Sequence, residues 1–321
     1  MARPGYVCPE HIIEAARQRE PLPVAVVAAH SPLALESARR AQDMGVMEPV
    51  LVGDEDVIHR LADSMDWDLN GVRIVPAGDD ADAARRAVAL ARSGEVGALM
   101  KGHLHTDTLL LAALDKTLGL RTGRRFTHAF HLTIPGWKDL ILSDCAVNIA
   151  PNVDTKLDII RNAVDLAHAL GNANPKVAIL SCTEEVTDRV QSAMDAAELT
   201  RRCAAGAVQG AVVFGPLAFD LAISDEAVRI KGFEGNPVAG RADILVVPSI
   251  ETGNALFKTM VHFLGATAAG VVLGAMVPIL LTSRADPPEA RIASAAIARL
   301  LVPEGWEGAP HKNDRPEGLH A

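Results

Sequence analysis

A hydroxyl pair followed at once by a cation, Thr282-Ser283-Arg284, closes the apolar run Pro278-Ile279-Leu280-Leu281 and opens onto Asp286-Pro287-Pro288-Glu289. This order sets two O–H donors and a guanidinium at the carboxyl end of a buried strand, where ligands bind in open α/β sheets. Arginine meets phosphate through two parallel hydrogen bonds, which fix orientation as well as charge. An arginine between a buried strand and a helix must pair or face a pocket, because an unpaired buried charge is costly. Asp286 and Glu289 also match a helix start, with the acid at the cap, proline in the first turn and glutamate three residues on. Capping therefore accounts for the two carboxylates but not for Thr282, Ser283 and Arg284. Pro287 and Pro288 take two amide donors from that helix start, so an anion there depends on Ser283 and Arg284.

Two further segments have the same character. Pro248-Ser249-Ile250-Glu251-Thr252-Gly253-Asn254 follows a short apolar run. A helix is predicted to begin around Thr252-Gly253-Asn254 with its amides free to face an anion. Lys258 falls one turn beyond Asn254 on the same face; the competing reading is an ordinary capped helix with an exposed lysine. Lys101-Gly102-His103-Leu104-His105-Thr106 follows the strand predicted over 97–100 and offers Lys101 and Thr106 as anion binders. His103 and His105 alternate onto one side if extended, but no third ligand stands at a metal-motif spacing.

Other candidates are weaker. Arg121, Arg124 and Arg125 form a basic run that suits either a solvated turn or the phosphates of a nucleotide-like ligand. Cys145 and Cys182 have the residue type of a nucleophile, although a free cysteine more often packs as a small apolar residue. No G-x-G-x-x-G follows the first strand and no G-x-x-x-x-G-K-[ST] occurs, so neither dinucleotide nor P-loop chemistry is favoured.

The elements that must carry these residues alternate. Strands are predicted at 24–29, 49–52 and 97–100, with helices at 32–44, 80–92 and from 106 through Leu118. Ser31 is the expected cap of the first helix, with Pro32 at its first position. This βα order implies a parallel sheet covered by helices on both faces. Around 127–149 turn residues replace helices, and short strands are predicted at 128–134, 140–143 and 146–149. A helix over 152–170 with Asp154 as candidate cap opens a second series: strand 177–180, helix 187–201, strands 211–214 and 244–247, then a helix, two strands and a final helix. Residues 224–240, rich in charge, Gly and Pro, are expected to form a long surface loop, and the tail after Pro303 to be loosely held.

With 321 residues the chain is expected to hold two domains. Aromatics are only 3%, so the core must be built from Ala, Val, Leu and Ile. A net charge of −9 argues against nucleic acid but leaves small anions open, because a local cationic cluster can dominate a pocket. Four scattered cysteines, no C-x-x-C and no apolar signal core point to a reducing cytoplasm. The uncharged run 263–281 is interrupted by Gly265, Gly270, Gly274 and Pro278, so buried strands rather than a membrane span are expected.

Thr-Ser-Arg-Ala-Asp at 282–286, Pro-Ser-Ile-Glu-Thr-Gly-Asn with Lys258, Phe214-Gly215-Pro216-Leu217-Ala218 and Met100-Lys-Gly-His-Leu-His-Thr106 stand in the order of one known family. Over roughly 20–302 the chain resembles the phosphate acetyl/butyryltransferases. The resemblance implies two three-layer α/β/α domains with mostly parallel sheets and an interdomain cleft, in the manner of isocitrate and isopropylmalate dehydrogenases. Its division would be 1–144 plus 285–321 for the first domain and 145–284 for the second. It further implies a cytoplasmic homodimer with no permanently bound cofactor, and reversible acyl transfer between coenzyme A and inorganic phosphate. Acetyl is the commonest acyl group; a longer, butyryl-type chain is the alternative.

Carried over residue by residue, Ser283 and Arg284 match the pair that contacts thioester and phosphate, with Asp286 and Glu289 as candidate bases. Lys101, Thr106, Thr252, Gly253, Asn254, Lys258 and Thr282 are the substrate-binding candidates. Two departures stand out. The acetyl branch's early helical aspartate falls here near Ala290, and its helical arginine near Leu109-Leu110-Leu111. A non-catalytic acyl-CoA or acyl-phosphate sensor and an NAD-linked dehydrogenase of related fold are the competing readings. The displaced carboxylate supports the former; the latter needs a metal-binding aspartate set that is not evident.

Overall fold

Aliphatic runs without polar alternation suit strands covered on both faces, and in the first half each run is followed by an amphipathic segment. The computed structural model describes residues 9–281, 287–306 and 308. Helix α1 (Glu10–Arg17) precedes β1 (Leu22–Val27), α2 (Pro32–Asp43), β2 (Met47–Gly53), α3 (Glu55–Ser64), β3 (Arg73–Pro76) and α4 (Asp80–Ser93). Then come β4 (Ala98–Lys101), α5 (Thr106–Ala113), β5 (Thr127–Thr133), β6 (Leu140–Ser143), α6 (Val153–Ala169) and β7 (Lys176–Leu180). The chain continues through α7 (Gln191–Arg202), β8 (Val212–Leu217), α8 (Phe219–Ile223), α9 (Asp225–Lys231) and β9 (Ile244–Val246). It ends with α10 (Ile250–Leu264), β10 (Thr267–Leu273), β11 (Ile279–Leu280) and α11 (Pro288–Leu301).

Local chemistry sets several boundaries. The Ser31 hydroxyl accepts from the Ala34 amide at 3.3 Å, with Pro32 opening α2. α6 is capped by Asn152, whose Oδ1 accepts from Thr155 N–H at 2.9 Å. Asp154, the expected cap, lies one residue inside the helix and pairs with Arg202 at 2.7 Å.

The strands form one mixed sheet in the order β3-β2-β1-β4-β11-β10-β5-β6-β9-β7-β8. β3, β2, β1, β4 and β11 run parallel, and β6, β9, β7 and β8 run parallel to one another. Between these sets, antiparallel pairings of β11 with β10, β10 with β5 and β5 with β6 reverse the direction. The two parallel sets therefore point their carboxyl ends opposite ways along the sheet.

The core explains why this sheet leaves room for a site. One face is continuous: Val26, Met100, Leu280, Val271, Ala129, Ile141, Val246 and Ile179 belong to a single apolar cluster reaching across the sheet. The other face is split. Val27, Leu99, Ile279, Leu281 and Val272 pack with α4 and α5, whereas Phe130, Leu142, Leu245 and Ala178 pack with α8, α9 and α10. Lys101, Gly270 and His128 lie on the divided face by strand alternation, near the seam between the clusters.

Several expectations are corrected. Residues 146–149 are not a strand, because their amides turn inward onto the Asp144 carboxylate, as described below. The loop expected over 224–240 contains α9, which Ser224 caps by accepting from Ala227 N–H at 3.2 Å. The helix expected to open at Thr252 opens at Ile250, and α5 stops at Ala113 rather than at Leu118. Among the described residues no helix is long and apolar enough to cross a membrane.

Candidate active site

In the first half, β1 leads by α2 to β2 on one side, while β3 leads by α4 to β4 on the other. Their loops consequently part between β1 and β4, a topological switch point of the kind that forms ligand crevices. There the chain after β4 packs hard on the chain after β1. Gly102 N–H donates to the Val27 carbonyl at 2.8 Å and His103 N–H to the Ala28 carbonyl at 3.0 Å. A Cβ at Gly102 would lie 2.5 Å from both carbonyl oxygens, so only glycine fits. The structure thus brings Lys101, which is buried, to the end of β4 and Thr106 to the first position of α5. His103 and His105 are exposed, and among the described residues no group of three His, Cys, Asp or Glu side chains is placed to hold a metal ion.

A second group assembles on the other side of the seam. Asp144, 1% exposed at the end of β6, is surrounded by donors. Its Oδ1 accepts from the amides of Ala146 (2.9 Å) and Val147 (3.0 Å). Its Oδ2 accepts from His128 N–H (3.1 Å), Asn148 N–H (3.3 Å) and the Asn148 side-chain amide (2.6 Å). Five hydrogen bonds to one carboxylate fix the loop against which α10 starts. Gly253 is the contact point: a Cβ there would lie 2.7 Å from the Asp144 carbonyl and 3.0 Å from Cys145 Sγ. Thr252 and Gly253 therefore lie in the first turn of α10, where Gly253 N–H donates to the Ser249 carbonyl at 3.2 Å; Asn254 follows, and Lys258 stands exposed one turn beyond it.

Contacts link this group toward Leu281. Gly253 touches Asp144, Asp144 binds the His128 amide, and the His128 ring and the Leu281 carbonyl both lie against Gly270 of β10. Leu281 is the residue before the hydroxyl-arginine segment. Thr282, Ser283, Arg284 and Asp286 themselves lie outside the described residues. Glu289, in the first turn of α11, has Oε1 3.0 Å from Arg40 Nη2 on α2.

Burial and pairing dispose of other candidates. Burial, reinforced by the Asp144 charge, pushes the Cys145 thiol well above its ordinary range, which opposes nucleophilic use. Arg124 of the basic run is engaged by Asp165 and Asn162. Sequence reading missed His128 and Asp144. A histidine inside the aliphatic strand Thr127–Thr133 was the available signal; the Asp144 cradle depends on backbone geometry that no residue pattern announces.

Comparison with known proteins bears on the whole arrangement. Residues 79–299 match the family model described as phosphate acetyl/butaryl transferase. The chain belongs to this family. The phosphate acetyltransferase of Rhizobium meliloti is 45% identical over 91% of this chain and 93% of its own length. The phosphate butyryltransferase of Clostridium acetobutylicum is 40% identical over 91% of this chain and 97% of its own. The crystal structure of a branched-chain phosphotransacylase from Enterococcus faecalis V583 superposes with a TM-score of 0.76 at 33% identity, covering 87% of this chain and 99% of that one. The phosphate acyltransferase family match thus includes both the Lys101–Thr106 turn and the start of α10.

Proposed function

We propose that this acyltransferase moves an acetyl group between coenzyme A and inorganic phosphate, with a butyryl-type chain as the alternative. The observation that carries the reading is the near full-length similarity to relatives named for both reactions. Two functional halves, 1–144 with 285–321 and 145–284, with a cleft between them, belong to this reading. Cytoplasmic location and a homodimer belong to the same proposal.

In the direction that forms acyl phosphate, a phosphate oxygen attacks the thioester carbonyl, the tetrahedral oxyanion collapses, and the coenzyme A thiolate leaves. Arg284 offsets the charge that develops, Ser283 donates a hydrogen bond to it, and Thr282 is assigned to substrate binding beside them. Lys101 and Thr106 hold phosphate. The α10 start with Thr252, and the side chains of Asn254 and Lys258 further along it, take the coenzyme's own phosphates, while Gly253 seats the helix on the Asp144 loop. In the reverse direction a carboxylate removes the thiol proton. Arg40 already engages Glu289, so Asp286 is assigned this role. No covalent enzyme intermediate and no bound cofactor are required.

The test is phosphate-dependent release of thiol from acetyl-, propionyl- and butyryl-coenzyme A. Arg284→Ala and Asp286→Asn are each expected to lower kcat by about 10²–10⁴, and Glu289→Gln by less than about tenfold. Turnover of none of the three thioesters by the wild type would refute the reading. A Glu289→Gln loss larger than that of Asp286→Asn would move the base to Glu289.

A further inference from the structure

The second half of the chain has a switch point of its own. In the sheet β9 stands between β6 and β7. β6 leads to α6 and β7 to α7, both packed on the continuous face, whereas β9 leads to α10 on the divided face. The loops therefore part on both sides of the carboxyl end of β9, the arrangement that opens ligand crevices in α/β sheets. A cavity of about 590 Å³ lies there, bounded by Pro248 after β9, the start of α6 and the start of α7.

A charged pair stands in the wall of this cavity. Lys156 of α6 and Asp195 of α7, with side chains 5% and 9% exposed, meet at 2.6 Å. The carboxylate is answered at both oxygens: Oδ1 accepts from Gln191 Nε2 at 2.7 Å and Oδ2 from Lys156. The ammonium is not. It carries three N–H donors, and Asp195 is its one partner among the described residues. Two buried donors are left over, and a buried donor is expensive to leave unmade. An apolar pair would hold α6 to α7 at least as well as a buried ion pair, so helix packing alone does not call for the lysine.

The groups beside it are donors too. Asn152 Oδ1 accepts from the Thr155 amide at 2.9 Å and its carbonyl accepts the first intrahelical bond, from Lys156 N–H, at 2.8 Å. The amides of Val153 and Asp154 precede that ladder. Val190 gives α7 no side-chain cap, which leaves the Gln191 and Ser192 amides in the same position. The Ser192 hydroxyl shares a hydrogen bond with Ser181 at the end of β7, at 2.9 Å. At the rim, Arg202 pairs with Asp154 and Glu198, each at 2.7 Å.

We propose that this cavity is a binding site for the phosphate group of a small molecule, separate from the acyl-transfer centre, with Lys156 Nζ and the first-turn amides of α6 and α7 donating to its oxygens. The unspent groups of the inner wall are donors, and both helix starts carry partial positive charge, so the chemistry that fits is an oxyanion. The volume is in the range of small-molecule sites, which admits an organic phosphate ester as well as free phosphate. The inference goes beyond the acyltransferase reading and does not depend on it.

Urea unfolding would be followed across concentration series of inorganic phosphate and, separately, of adenosine 3′,5′-bisphosphate. A ligand held only by the folded chain stabilises it in proportion to the logarithm of its concentration, once for every saturated site. The slope for the wild type is expected to exceed by one site that of Lys156→Met/Asp195→Leu, which replaces the pair with apolar residues. Thiol release by this double variant is expected at the wild-type rate. A slope difference with inorganic phosphate assigns the site to free phosphate, and one with the bisphosphate alone assigns it to a phosphate ester. Equal slopes with both probes would overturn the proposal, and a double variant that lost thiol release along with the slope would overturn the separateness of the site. Wild-type crystals grown without oxyanions and soaked in tungstate need no variant to fold. Anomalous density within hydrogen-bond distance of Lys156 Nζ is expected, and none there would refute the site. Density there with equal slopes in solution would mean an adventitious ion only and would refute it as well. If the wild type releases no thiol, the acyltransferase reading falls on that assay, while the slope difference still decides this site.

Discussion

A buried histidine and a buried carboxylate on adjacent strands behave in opposite ways, and the difference shows what each is for. Asp144 is surrounded by donors and remains an acceptor. His128 has no such compensation: burial pushes its pKa from 6.5 down to about 4, with the nearby Asp144 charge opposing the shift. In the unfolded chain the ring takes up its proton near pH 6.5, whereas in the folded protein it resists until about pH 4. The stabilisation from keeping it neutral is complete above pH 6.5 and fades as pH falls toward 4, by about 3 kcal/mol in total. Urea unfolding of wild type should therefore weaken over that window, and His128→Gln should show a flatter profile by about that amount. Parallel profiles would mean that the folded ring takes up its proton as readily as the unfolded one, so that burial does not hold it neutral.

At the scale of elements, α10 depends on a missing side chain. Alanine is ordinarily better than glycine inside a helix by about 1 kcal/mol. At Gly253 the added methyl meets the Asp144 carbonyl and Cys145 Sγ, neither a flexible side-chain end. Overpacking of this kind costs about 1–3 kcal/mol, so Gly253→Ala is expected to lower the urea midpoint in spite of its better propensity. An unchanged or higher midpoint would show that α10 can shift off the loop without loss.

Much at this scale was legible. The alternation of aliphatic runs with capped helices gave β1, β2 and β4 with α2 and α4; Lys101 does end β4, and Thr106 opens α5. The turn-rich middle did mark the place where the sheet changes direction. What stayed hidden depended on partners remote in sequence. The insertion of β10 between β11 and β5 is a pairing choice, not a composition. The loop after Asp144 looked like a strand because Ala146-Val147-Asn148-Ile149 is apolar enough, while its amides answer a carboxylate that no spacing rule identifies. Helix α9 was missed because it is a short segment run straight into Gly232, Gly235 and Gly240, with its Ser224 cap as the main signal.

The molecule as a whole combines a shared face with a divided one. Strands from both halves contribute to the continuous cluster, and the antiparallel β10–β5–β6 region joins the halves by backbone hydrogen bonds. Neither half can lose its covering on that face without exposing the other. A single calorimetric transition is expected, with van't Hoff and calorimetric enthalpies in agreement. Two resolved transitions, or a van't Hoff value well below the calorimetric one, would show that the divided face governs stability instead.

The position of β11 and α11 has a consequence for how the protein is made. Both belong spatially with β4, α1 and α2, yet in chain order they come after every element from α5 to β10. Residues 290–300 of α11 are buried on every side, so α11 lies inside the first half rather than against it. While translation proceeds, the edge of β4 has no strand beside it and the neighbouring helices lack their central filler. The nascent N-terminal half therefore waits, open along one edge, through the synthesis of everything between. Domain-by-domain maturation from the N-terminus is closed to this chain: its first half is completed only once residues 288–301 have been made, after all the elements it does not contain.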